Sequence, residues 1–324
     1  MSNIALTVAC GHYDHMEALS RGIVQPTGID VTYLANESPP EIFARMIKTS
    51  AFDISEMSLA MYFTLRSKGK FPYIALPVFP CRVFRHSYIY VNRDADITAP
   101  KDLEGKNIGV QQYRQTAATW IRGILQNEYH VDMSGMRFIE GGVNVSRPPD
   151  KDLDILPDKT IKIESAPEGK SINDLLTNGS VDAYFGARQP KCYMTHDNIV
   201  RLFPDYRKEE RKFFDRTGIF PIMHCLVMKE EMHIKHPWIA ENMIKAAARS
   251  GATHVKFQYW KESNLKPGKW DEDGRREIYN KAALTEEKVI ELEKMSNEIG
   301  CNFLISVFGT IGAKVMSDLG IKKI

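Results

Sequence analysis

Short apolar runs alternate with helix-like stretches along most of this chain, and that alternation restricts the fold more than any single motif does. Ile4 to Val8 reads as a strand, followed by a helical pattern from Asp14 to Arg21. Ile29 to Leu34 is a second strand, and Pro40 to Thr49 forms a helix with Ile42, Phe43, Met46 and Ile47 on one side. Asp53 to Glu56 is a short third strand, with Ser58 placed to cap a helix running to Ser67. Strands at Tyr73 to Phe79 and Ser87 to Val91 follow. A second alternating stretch has strands at Lys106 to Val110, Arg137 to Ile139, Ile161 to Ile163 and Val181 to Phe185. Its helices run from a Thr116 cap to Glu128 and from Ser171 to Thr177, and a Pro- and Asp-rich loop spans Arg147 to Lys159. After the apolar run Ile219 to Met228 the pattern becomes predominantly helical, with Pro237 at a helix start. The pattern predicts an α/β chain with at least one mainly parallel sheet.

A length of 324 residues suggests about two domains, each large enough for its own core. The 43 basic and 41 acidic side chains nearly cancel, so no strong field argues for a nucleic-acid partner. No apolar run approaches the roughly 20 residues of a membrane span. The opening MSNIALTVACGHYDHM lacks a basic leader region and is better read as a first strand. The five scattered cysteines include no C-x-x-C and read as reduced thiols, so the expected location is cytoplasmic. Neither G-x-G-x-x-G nor a Walker A sequence is present, which leaves dinucleotide and phosphate-loop cofactors without support.

Longer phrases carry a resemblance. DLEGKNIGV (Asp102 to Val110) and SINDLLTNGSVDAYFGAR (Ser171 to Arg188) resemble the type II periplasmic-binding-protein fold. That fold implies two α/β lobes joined by two crossing segments, with a ligand cleft between the lobes. Its expected division here is 1–92 with 225–324, including a helical C-terminal region, against 93–224. ACGHYDH (Ala9 to His15), FPCRVFRHSYIYVN (Phe79 to Asn92), WIRGIL (Trp120 to Leu125), RLFPDY (Arg201 to Tyr206) and TGIFPIMH (Thr217 to His224) resemble 4,5-dihydroxyphthalate decarboxylases. The resemblance implies a carboxy-lyase acting on a small aromatic dicarboxylate. With the charge balance, the run lengths and the missing cofactor motifs above, the expectation is no cofactor, no metal and no nucleic-acid or membrane partner, with a homo-oligomer left open.

In a 4,5-dihydroxyphthalate each carboxylate lies para to a hydroxyl. Protonating the ring carbon that bears the departing carboxylate makes the ring an electron sink, after which carbon dioxide leaves. Such a site needs an acid, a partner for the phenol and a holder for the remaining carboxylate, which Arg can bind bidentately. Cys81 to His86 offers two cations and an imidazole beside a strand. It reads either as a solvated edge turn or, as the resemblance implies, as an anion clamp with an acid-base group. Arg82 and His86 are the leading candidates, with Arg85 a second clamp. Glu56, where the third strand meets a helix, reads in two ways. It is either a catalytic carboxylate at a crevice-facing strand end, accepting a phenol proton or orienting a histidine beside a substrate-binding Ser58, or a dipole partner of a helix capped by Ser58. His224 follows an apolar run and, as the resemblance implies, lies in the second crossing, although a lone His beside apolar residues is usually a core residue. Arg188 follows the strand Val181 to Phe185, at a crevice-facing strand end or as a surface loop charge. Gln112, Thr116 and Tyr13 supply further polar groups for the ligand.

Cys10-x-His12-x-x-His15 and His233-x-x-His236 lack the spacing of a strong zinc site, so chance proximity is the better reading. The competing function is a cytoplasmic solute-binding protein or sensor for a small aromatic or carboxylate ligand, since the same fold serves mostly as a receptor. A third, an enzyme of thiamine pyrimidine synthesis, lacks the Cys-rich motif it would need.

Overall fold

The first apolar run pairs in parallel with the second, placing Ile4 opposite Ile29 and Val8 opposite Tyr33. These strands, β1 (Ile4–Ala9) and β2 (Ile29–Leu34), open the structure, a computed structural model. It describes residues 3–35, 38–69, 71–147, 161–249, 254–259, 283–298, 300, 302–307 and 309–321. Between the two strands lies α1 (Glu17–Ser20), and after them come α2 (Pro39–Thr49), β3 (Ile54–Ser58), α3 (Leu59–Ser67), β4 (Tyr73–Arg82) and β5 (Ile89–Asn92). The middle of the chain holds β6 (Asn107–Val110), α4 (Thr116–Tyr129), β7 (Arg137–Glu140), β8 (Lys162–Ser165), α5 (Ile172–Thr177), β9 (Ala183–Phe185), β10 (Ile199–Arg201) and α6 (Tyr206–Thr217). The chain continues through β11 (Ile222–Lys229), α7 (Glu230–Lys235), α8 (Trp238–Arg249), β12 (His254–Tyr259), α9 (Glu286–Glu298), β13 (Asn302–Val307) and α10 (Gly309–Asp318). Most of the Pro- and Asp-rich loop expected from Arg147 to Lys159 lies outside the described residues.

Two compact α/β units result. The first comprises Met1–Glu56, Pro72–Pro80 and Cys225–Ile324. Its main sheet has the order β2-β1-β3-β11-β4, and Leu6, Val8, Ile29, Ile54, Leu226 and Met228 pack with Ile239 and Met243 of α8. Local chemistry starts α2 at Pro39: the Glu41 carboxylate accepts from the Ser38 N–H at 2.8 Å and its hydroxyl at 2.7 Å, with prolines in the first turn. The C-terminal region expected to be helical also carries strands. β12 and β13 pair in parallel, and Phe303 and Ile305 of β13 share a small core with Val289, Leu292 and Met316.

The second unit comprises Met57–Phe71 and Cys81–His224. Its sheet runs β10-β5-β9-β6-β7-β8. The β9-β6-β7-β8 pairings are parallel, as the alternation predicts, whereas β5 runs antiparallel to both β9 and β10. These hydrogen bonds tie β5 to the second unit, which therefore begins before residue 93. Ile108 and Val110 of β6 pack against Ala118, Ile121 and Leu125 of α4. Gly109 lies where α5 presses closest: a Cβ there would stand 2.6 Å from Ile172 Cγ2.

The expected caps of α3 and α4 are rearranged. Ser58 precedes α3 but makes no capping bond of its own, and the residue preceding α4 is Gln115. Instead the Thr116 hydroxyl accepts the Ala60 N–H of α3 at 3.1 Å and meets the Ser58 hydroxyl at 2.8 Å. The first turn of α3 is thus satisfied by a side chain from another helix. Among the described residues no helix is long and apolar enough to cross a membrane.

Candidate active site

Within the second unit, the chain beyond β4 builds a cavity of about 670 Å³. Arg82 ends β4, and the Val83 N–H donates to the Pro221 carbonyl at 3.1 Å, holding this segment beside the residues before β11. That alignment stacks Phe84 on Phe220 with ring centroids 4.7 Å apart. The Arg82 guanidinium lies over the Phe220 ring at 5.8 Å from its centroid. Partial burial lowers the Arg82 pKa, as expected for a cation leaving water. After β9, Gly186 turns the chain beneath the Tyr184 hydroxyl, where a Cβ would come within 1.8 Å of that oxygen. The turn carries Arg188 to the cavity.

Arg201, at the end of β10, is held firmly. Its Nε donates to the Ser87 carbonyl at 3.0 Å and its Nη1 to the Tyr193 hydroxyl at 2.9 Å. The guanidinium also lies 4.8 Å from the Tyr206 ring centroid. Glu210 of α6 accepts the Ser87 N–H at 3.1 Å and its hydroxyl at 2.9 Å on one oxygen, Oε1. The lining therefore joins three arginines (Arg82, Arg188, Arg201) and one carboxylate to aromatic walls from Phe84, Tyr88, Tyr90, Tyr206 and Phe220. Excess positive charge within aromatic walls suits a flat anion bearing more than one carboxylate.

The chain is 39% identical over 253 residues to the 4,5-dihydroxyphthalate decarboxylase of Comamonas testosteroni, covering 78% of this chain and 76% of that one. It is 36% identical over 206 residues to the 4,5-dihydroxyphthalate decarboxylase of Pseudomonas putida, covering 63% and 79%. The chain belongs to the 4,5-dihydroxyphthalate decarboxylase family. It is an enzyme of the carboxy-lyase class. A model of the NeuB family matches residues 243–324, the stretch holding β12, α9, β13 and α10. Among solved structures, the periplasmic aliphatic sulphonate binding protein SsuA from Escherichia coli aligns with a TM-score of 0.47 at 10% identity, over 100% of this chain and 84% of that one.

Of the residues singled out from sequence, the enzyme brings Arg82 and Arg188 into one cavity. Arg85 lies behind the lining, 4% exposed, its guanidinium 4.9 Å from the Tyr88 ring centroid and its Nε 3.1 Å from Met223 Sδ. His86 is walled in by Phe203, Phe213 and Tyr129 at ring-centroid distances of 5.3, 5.5 and 6.1 Å. Neither of its ring nitrogens has a hydrogen-bond partner among the described residues, and desolvation pushes its pKa down to about 4. An imidazole kept neutral in this way is a poor proton donor at neutral pH. His224 is half-buried on β11.

Glu56 and Tyr13 meet within the first unit. The fully buried Glu56 carboxylate accepts from the Tyr13 hydroxyl at 2.6 Å, the Gly11 N–H at 2.8 Å and the Cys10 thiol at 3.6 Å. It fastens the chain after β1, and burial with that nearby carboxylate raises the Cys10 pKa. The hydroxyls of Ser58 and Thr116 engage one another, and Gln112 is half-buried before α4.

Arg201, Tyr206, Ser87 and Glu210 were not singled out from sequence. Arg201 and Tyr206 both lie within RLFPDY, a phrase that carried the resemblance without a role for either residue. Glu210 sits in the charged run Arg207 to Lys212, which reads as a solvated helix face.

Proposed function

We propose that this enzyme converts 4,5-dihydroxyphthalate to protocatechuate and carbon dioxide by protonating the ring carbon, without a cofactor. The observation that carries the reading is the arginine-rich, aromatic-walled cavity in a chain of this family. Arg82 and Arg188 hold carboxylate, Arg85 adds positive charge behind the lining, and the aromatic walls receive the ring. With His86 sealed off and neutral, His224 is the histidine left to supply the proton, from a position on β11 outside the residues that line the cavity. Glu56 and Tyr13 order the chain after β1, and the Ser58 and Thr116 hydroxyls tie α3 to α4. The electron pair of the breaking carbon–carbon bond returns to the ring, and the departing carboxylate is favoured by poor solvation.

The test is to incubate purified protein with 4,5-dihydroxyphthalate and follow carbon dioxide and protocatechuate. In D2O the product should carry one deuteron at the vacated ring position. Binding without turnover would overturn the catalytic reading, and absence of binding would overturn the substrate.

A further inference from the structure

We propose that Glu210 takes up the phenolic proton of the substrate during decarboxylation; this rests on the activity proposed above and names a group that serves it. Glu210 lines the cavity from α6. Its Oε1 is occupied by both donors of Ser87, at 3.1 and 2.9 Å. Its Oε2 has no hydrogen-bond partner among the described residues. Arg82, Arg188, Arg201, Tyr88, Tyr90 and Tyr206 line the cavity together with it, and Arg85 behind the lining interacts with it electrostatically. The cations can only donate, whereas a carboxylate can only accept. Carboxylates of an aromatic diacid therefore go to arginine, and its hydroxyls find their anionic acceptor at Glu210.

The position matters to the chemistry because each phenol is para to a carboxylate. As the O–H bond breaks and its proton moves to Glu210 Oε2, the oxygen electron pair moves into the ring. The para carbon gains electron density and forms a bond to a proton drawn ultimately from solvent. The bond from that carbon to the carboxylate then breaks, carbon dioxide leaves, and the electron pair restores the phenoxide. Glu210 returns its proton to the phenoxide. One solvent proton is consumed for each carbon dioxide released, and Glu210 ends unchanged.

Glu210→Gln separates this role from the task of holding Ser87, because the amide oxygen still accepts from both Ser87 donors while the base is lost. The expected result is a kcat lower by about 10²- to 10⁴-fold, with KM changed less than about threefold. Glu210→Asp keeps a carboxylate and should retain more kcat than Glu210→Gln. A Glu210→Gln kcat within about threefold of wild type, or equal losses in both variants, would overturn the inference while leaving the proposed activity intact. A wild-type protein that binds but does not turn over would instead sink the activity, and this inference with it.

Discussion

His86 shows how little a residue type says about its task. RVFRH looks like a clamp with an acid attached, yet the imidazole lies 1% exposed among aromatic rings while Arg82 of the same phrase lines the cavity. Both identities are plain in the sequence; the side to which each points is decided by packing beyond the strand end. Burial has a measurable consequence. With its folded pKa pushed to about 4 from an ordinary 6.5, His86 binds a proton in the unfolded chain but not in the folded one between those values. Stability from this source is therefore complete above the unfolded value and declines as pH falls through the window. At about 1.4 kcal/mol per unit, the loss reaches roughly 2 kcal/mol by about pH 5. His86→Phe fills the same aromatic surroundings and cannot protonate. Urea unfolding at about pH 8 and pH 5 should show wild type losing about 2 kcal/mol more than this variant across the interval. Parallel losses would contradict the burial argument.

At the scale of elements, Thr116 links two helices that sequence reading treated separately. Its hydroxyl satisfies the Ala60 N–H of α3 and pairs with Ser58, so its loss should weaken the fold before it weakens substrate binding. Thr116→Val, nearly the same shape, should lower unfolding free energy by about 1 to 2 kcal/mol. If KM rises tenfold while the urea midpoint stays put, the hydroxyl belongs to the ligand instead. The positions of both helices were legible from apolar spacing, but which side chain caps which helix depends on long-range packing. β13 was missed for another reason: Phe303-Leu304-Ile305 is a short continuous apolar run, and periodicity alone cannot assign such a run to strand or helix. The parallel core of the second sheet, by contrast, was readable from strands separated by helical patterns.

For the molecule as a whole, two α/β units and the family relationship were legible because long phrases spread from residue 9 to residue 224 carry both. The composition of the cavity was only partly so, since Arg201 and Glu210 reach it from segments that look like ordinary strand end and charged helix. A ring that stores the electrons itself needs no metal to assist, and the histidine spacings offer no strong zinc pattern. Turnover should thus survive exhaustive dialysis against EDTA and dipicolinate. Activity abolished by chelation and restored by one divalent ion would contradict the cofactor-free route. The central claim, that the arginine-lined cavity holds the carboxylates of the substrate, is tested most directly by steady-state decarboxylation of 4,5-dihydroxyphthalate by Arg82→Ala and Arg188→Ala. Losing a charge-assisted hydrogen bond costs about 1.5 to 3 kcal/mol, so each variant should fall one to two decades in kcat/KM, mainly through KM, with wild-type circular dichroism. Two folded variants within about twofold of wild type would show that the reaction takes place elsewhere.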